Sequence, residues 1–329
     1  MEIVLVGNNG YTVQDNPEPE RWVRPLVAAK LGHLEFFADH MDPLFAREVI
    51  TGRSEYFRAT AEVLGESSID VVSIGTGRLS YLQNLISHPY ADMRREGLRW
   101  LRGLADLAAA LGARYVTGHY DYISAADLAA GNGLVDRMVE GLLGFAVYAE
   151  SVGLEAIFLE QMHSPALKPY TIAEGDEILA RLNGTSPLPF YMHHDLGHMA
   201  HVRRDDPAHS EADKDPYAWL AHDFASRVAF VHCQQTDNVT SRHWPFTREY
   251  NDRGIIEPGR VISSLELSGA ERAYLSLEVL YERGTRIEKI TGDYVESVEN
   301  WRSALAATGY TEGEDGLYVR NGASGGGRD

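Results

Sequence analysis

Residues 190–201 read FYMHHDLGHMAH, with four histidines and one aspartate gathered at the end of a short apolar run. Runs of this kind end elsewhere in the same chemistry. EAIFLE closes on Glu160, VAFVH on His232 and LSLE on Glu278, and the histidine-rich stretch adds Asp195. Three carboxylates and one imidazole, with no thiolate, suit a divalent ion that prefers hard oxygen. Mn2+ is expected first, with Mg2+ or Co2+ next, rather than a structural zinc. One such ion also offsets three negative charges that would otherwise repel at severe cost. His198, three residues past Asp195, is placed to reach the substrate or a carboxylate. Successive strand residues face opposite ways, so at most one of His193 and His194 lines the site; His201 is expected in solvent. His119, just after RYVTG, is a further candidate substrate-facing group. Cys233 follows His232 directly and should therefore point away from the site as a buried thiol.

Eight apolar, strand-like runs position these groups: 2–7, 33–38, 70–75, 114–118, 155–160, 189–193, 228–232 and 274–279. The intervals leave room for one helix and two loops each. Residues 92–111 place Met93, Leu98, Leu101, Leu104, Leu107, Ala108 and Leu111 on one broad face, and Gly112 is a suitable stop. Residues 132–153 and 215–227 carry the same periodicity. Strand then helix, eight times, with strands apolar throughout, predicts an α/β fold: a single (β/α)8 TIM barrel over residues 1–310. No GxGxxG follows the first strand, which argues against an open dinucleotide-binding sheet. In such barrels chemistry gathers at the C-terminal ends of the strands, where the candidate ligands fall. The stretch 311–329 is expected to be a C-terminal tail, disordered toward its Gly/Ser-rich end, NGASGGGRD.

Lys+Arg number 30 against Asp+Glu 48, a formal charge of −18. That excess of negative charge opposes nucleic-acid binding and adhesion to anionic membranes. No apolar run reaches the roughly 18 residues of a membrane span. One cysteine rules out an intrachain disulfide and, with no signal-like start, makes the cytoplasm the expected location. The same charge is unwelcoming to a sugar phosphate, for which Arg78, Lys168 and Arg242 are the candidate local cations.

The motifs FLEQM, HHDLGH, FVHCQQTD, HWPFT and LSLEV, in that order, resemble the xylose-isomerase-like TIM-barrel sugar isomerases and epimerases, most of all the tetrulose-phosphate 3-epimerases. DHMDP (39–43), the long segment 85–114 and TGH (117–119) add to the likeness, which covers roughly residues 1–310. The resemblance implies that Glu160, Asp195, His232 and Glu278 hold the metal and that the two glutamates also serve as the acid/base pair. It implies a substrate-orienting role for His198, and substrate contacts for Gln234, Asp237 and His243 in the long loop after strand seven. That loop is expected to close over the mouth, with Trp244 sealing out water.

The chemistry can also be derived from the residues. A divalent ion beside a carbonyl and its neighbouring hydroxyl acidifies the C–H between them. One carboxylate removes that proton; a second, on the opposite face, returns it and inverts the carbon. Together with the resemblance, which implies the 3-position and the tetrulose size, this makes the expected activity metal-dependent 3-epimerisation of a ketose or ketose phosphate. A 1,2-aldose–ketose isomerase, or an eliminating C-glycoside deglycosidase working with a small partner subunit, could use the same parts. In the deglycosidase, Tyr120, Tyr122 and Trp244 would stack on the aglycone. An endonuclease IV-like repair enzyme is opposed by the charge, and a non-catalytic sugar-binding module predicts no proton exchange. The partner is a small sugar, with a homo-oligomer also expected.

Overall fold

β1 (Glu2–Asn8), β2 (His33–Phe37), β3 (Asp70–Gly75), β4 (Tyr115–Thr117), β5 (Ala156–Glu160), β6 (Phe190–Asp195), β7 (Val228–Cys233) and β8 (Arg272–Leu277) pair in parallel, each with the next. β8 returns to β1, and β1 to β2, which closes the barrel. The computed structural model describes residues 1–12, 15–44, 54–131, 133–201, 207–313 and 316–320. The eight expected strands are all present, within a few residues of their expected bounds.

Because side chains alternate along a strand, the uniformly apolar strands feed two separate cores. Odd positions of β1, such as Ile3 and Leu5, face the helices together with Leu34, Val116, Leu159, Val231 and Leu275. Even positions, Val4 and Val6, face the barrel axis with Val72, Tyr115, Phe158, Phe230 and Tyr274. The aromatic rings of this inner set meet edge-on or stacked at 5.3–5.7 Å between centroids and fill the barrel below the site. The barrel has a floor.

Helix Ala91–Ala110 runs as its periodicity predicts, buries Leu101, Leu104, Leu107 and Ala108, and stops at Gly112, whose φ is +74°. Helix Leu134–Ser151 likewise falls within its expected span. The helix expected over 215–227 is shorter, Pro216–Ala221, because His222 turns to extended backbone and Ala225 has a positive φ.

The first part of the stretch expected as a tail, up to residue 320, contains strands. β9 (Tyr310–Glu312) and β10 (Leu317–Arg320) form an antiparallel hairpin, and β10 pairs with β1 from Glu2 to Val4. β1 and β2 touch only at Gly7–Asn8, so the lower edge of β1 is free and the hairpin covers it. Buried Tyr318 anchors it to the outer core. The run NGASGGGRD lies outside the described residues.

Candidate metal centre and its cavity

The inward positions of the upper barrel change from aromatic to polar within two residues on β5 to β8. On β5, Phe158 is followed by Glu160; on β6, Tyr191 by His193 and Asp195; on β7, Phe230 by His232; on β8, Tyr274 by Ser276 and then Glu278. The four expected ligands therefore converge at one end of the sheet. Nδ1 of His232 lies 3.5 Å from Oε1 of Glu160, 3.8 Å from Oδ2 of Asp195 and 3.2 Å from Oε2 of Glu278. Such separations match neighbouring ligands around one cation at roughly 2.1 Å from each.

All four side chains are buried, and Nδ1 of His232 and Oε2 of Glu278 have no hydrogen-bond partner. Orphaned buried polar atoms facing one another are costly unless something occupies the space between them. The electrostatics agree. Burial alone would push Asp195 up, yet His198, His232 and His243 hold it well below the usual carboxylate range. Burial likewise opposes ionisation of Glu278, and His232 and His243 still bring it to about 2. Against its own burial, His232 is raised well above its ordinary value by Glu278 and Glu35. The cluster demands positive charge, and the donor set fits a divalent metal ion.

D-L-G-H is built by the chain around Asp195. Its Oδ1 accepts from the backbone N–H of Gly197 at 2.7 Å and of His198 at 3.0 Å, which turns the chain sharply after β6. Gln234 donates to both carboxylate oxygens of Asp195, at 2.9 and 3.0 Å. A Cβ on Gly197 would sit 2.3 Å from that Gln234 side chain, so position 197 has no room for one. The Nδ1–H of His198 is 2.9 Å from the carbonyl of Gln161, and its Nε2 lies 3.8 Å from Asp195.

The mouth is a cavity of about 270 Å³. Glu160, His198, His232 and Glu278 line it, and the long loop contributes Thr240, Ser241 and His243. Nδ1 of His243 is 3.2 Å from Oε2 of Glu278. His243 reaches this place with φ of +50°, an uncommon conformation for a residue with a Cβ. Its backbone N–H donates to Gln234, which also accepts from Ser241 Oγ. Gln234 thus ties the loop to Asp195 from behind the cavity wall.

Other expected site residues fall elsewhere. Asp237 pairs with Arg242 at 2.8 Å and caps Val239 and Thr240, so it shapes the loop and does not line the cavity. His119 is fully buried behind Tyr81, bonded to the carbonyl of Asp121, and burial pushes its imidazole down to about 3. Trp244 lies on the outer side of the loop against Arg253 and Tyr250 and seals nothing. Tyr120 bonds to the carbonyls of Val116 and Phe158, and the cavity is lined by Phe37 and Tyr81, not by the three aromatics expected to stack on an aglycone. Of the histidine pair, His193 faces the axis, its ring 4.1 Å from that of His232, while His194 packs outward near Phe224. Cys233 is buried in the outer core. The side chain of His201 lies outside the described residues.

Two residues at the site escaped sequence reading. Glu35, in the middle of β2, has no exposed surface and accepts from Nε2 of His232 at 2.9 Å, Ser276 at 2.7 Å, Asn8 at 3.0 Å and Thr117. That bond fixes the tautomer and aims Nδ1 at the metal position. Its signal was a lone glutamate inside an otherwise apolar strand. Tyr81 donates to Oε2 of Glu160 at 2.8 Å and had no signal, since it sits in a short helix after β3.

A family model for the xylose isomerase-like TIM barrel matches residues 26–306, and the chain belongs to that family. Among its relatives is a D-erythrulose 1-phosphate 3-epimerase of Brucella abortus (strain 2308), 25% identical over 307 residues, 92% of this chain and 96% of the relative. The solved structure of a putative xylose isomerase from Rhodospirillum rubrum superposes with a TM-score of 0.77 at 21% identity, covering 92% of this chain and 99% of that one. D-psicose 3-epimerase from Clostridium cellulolyticum H10, solved with D-tagatose, gives 0.59 at 15% identity over 93% and 98%. Among the described residues, no helix is long and apolar enough to cross a membrane.

Proposed function

We propose that this protein is a metal-dependent 3-epimerase acting on a ketose or ketose phosphate of tetrulose size. The observation that carries the reading is the convergence of Glu160, from β5, and Glu278, just after β8, on one cavity lined also by His232, with Asp195 beside it in the same cluster. β6 and β7 separate the two glutamate-bearing strands, so the carboxylates approach the cavity from different sides. The erythrulose-phosphate epimerase relative supports the choice of reaction.

Glu160, Asp195, His232 and Glu278 would hold the ion, Mn2+ in the first instance. When bound, the ion supplies the positive charge that makes a C–H beside a carbonyl acidic. The remaining work belongs to the chain. One glutamate takes the C3 proton and the other delivers a proton to the opposite face, inverting the carbon. Tyr81 donates to Oε2 of Glu160 and so fixes the orientation of that carboxylate in the cavity. Nδ1 of His243 faces Oε2 of Glu278 at 3.2 Å, and His198 stands between Glu160 and Asp195 to orient the sugar hydroxyls. Gln234 keeps the loop in place over the mouth.

The test is incubation of the Mn2+-loaded protein with ketoses and tetrulose phosphates in D2O, read by NMR. Deuterium entering C3, with the epimer appearing, is the expected result. Exchange at C1 with an aldose product would make the protein a 1,2-isomerase, and no exchange in any ketose would remove the catalytic reading.

A further inference from the structure

We infer that Arg78 is the specificity-determining residue of the cavity and that it receives a terminal phosphomonoester, so that the preferred substrate is a phosphorylated ketose. This rests on the epimerase reading above. Three basic residues lie near the strand ends, and the fold separates them. Lys168 is nearly buried and bonded to Glu174. Arg242 gives both Nε and Nη2 to Asp237 and lies over Trp244, outside the cavity. Arg78 alone among the described lysines and arginines lines the cavity wall, directly after Thr76 and Gly77.

Its attachment suits recognition of an anion. Asp39 accepts from the backbone N–H of Arg78 at 3.0 Å and lies 3.4 Å from its Nε. The first contact fixes the root of the side chain, and the second places a carboxylate beside one edge of the half-exposed guanidinium. Among the described residues nothing takes its two terminal amino groups. A planar fork rooted at its backbone, with both terminal amino groups unused, is the geometry that meets two phosphate oxygens at once. The anchoring requires glycine at 77, which has φ of +76° and whose Cβ would fall 2.4 Å from the Asp39 carboxylate. Hydroxyls of Thr76, Thr240 and Ser241 border the same space.

Charge makes the residue necessary. Three carboxylates around one divalent ion leave a net negative cluster, which repels a dianionic substrate at the short range and low dielectric of a buried cavity. A protein with a charge of −18 offers no general field to offset that repulsion. A local cation on the cavity wall works against that repulsion, and Arg78, its charge shared with Asp39, is the guanidinium placed there.

The experiment compares Mn2+-loaded wild type, Arg78→Lys and Arg78→Gln on D-erythrulose 1-phosphate and on D-erythrulose. Wild type should prefer the phosphorylated sugar in kcat/KM. Arg78→Gln should reduce the preference ratio about 10- to 100-fold, the range for losing a charge-assisted bidentate contact, mainly through KM, with Arg78→Lys recovering part of it. Equal losses on both sugars, or a wild type without preference, would overturn the inference and leave the epimerase reading standing. Absence of C3 exchange from either sugar in the wild type would strike the epimerase reading instead. Calorimetric Kd values for the two sugars then decide the role of Arg78 by the same ratio, and failure of both sugars to bind removes it.

Discussion

The lower and upper halves of the barrel interior are built from the same strands, two residues apart, and do opposite things. Below, Tyr115, Phe158, Phe230 and Tyr274 fill the axis with rings. Above, Glu35, Glu160, His193, Asp195, His232 and Glu278 are buried as well, and His193, His232 and Glu278 carry ring or carboxylate atoms without hydrogen-bond partners. The lower layer satisfies itself. The upper layer leaves donor atoms that a ligand could satisfy, and the apolar floor beneath keeps its dielectric low and its side chains in place. Stability and chemistry are therefore stacked along one axis, and substitutions should separate them.

The largest effect should come from the two glutamates. Glu160→Gln and Glu278→Gln keep their shape and one ligating oxygen, yet each removes a base, and each should slow epimerisation by about 10²- to 10⁴-fold. With bases on opposite faces, each variant keeps slow deuterium exchange from one epimer only, and the two variants prefer opposite epimers. Equal, modest losses restored by excess Mn2+ would reduce both residues to ligands and break the division between floor and site.

Phe158→Ala should do the reverse. Losing a ring from the floor costs about 3–5 kcal/mol of stability, read from denaturant unfolding, while Mn2+ affinity of the folded fraction stays close to wild type. A large loss of affinity would mean that the two layers are not separable.

Glu35 stands at the boundary. Four donors surround its carboxylate, so Glu35→Gln sets an amide N–H against donors and loosens His232. Metal affinity should fall about 10- to 100-fold by titration calorimetry. No change would show that His232 needs no support from below.

The smallest effect is a pH dependence of stability. Burial holds His119 neutral, its pKa lowered to about 3 from an ordinary value near 6.5. Its folded value is the lower one, so the unfolded chain binds the extra proton. The stabilisation is complete above about pH 6.5 and is lost as pH falls toward 3, by about 1.4 kcal/mol per pH unit. Urea midpoints of wild type and His119→Asn, compared between pH 7 and 4.5, should diverge with that slope; parallel curves would remove the buried imidazole from the acid response.

The sequence by itself determined the barrel and the convergence of four ionisable side chains at one end of it. Strand spacing, uninterrupted apolar strands and a period of two place Glu160, Asp195, His232 and Glu278 at the same end of the same sheet whatever the loops do. Tertiary structure alone decided what surrounds them. Glu35 and His232 are 197 positions apart, and no local pattern links them. Trp244 and Asp237 share a loop with His243, yet that loop's single antiparallel bridge, Gln235 to Trp244, and the positive φ at His243 turn one residue inward and two outward. The hairpin after residue 310 has the same explanation, because its place depends on the edge of β1 that β2 leaves unpaired. Periodicity is a property of one strand, whereas pairing partners and loop direction depend on the free energy of the whole fold.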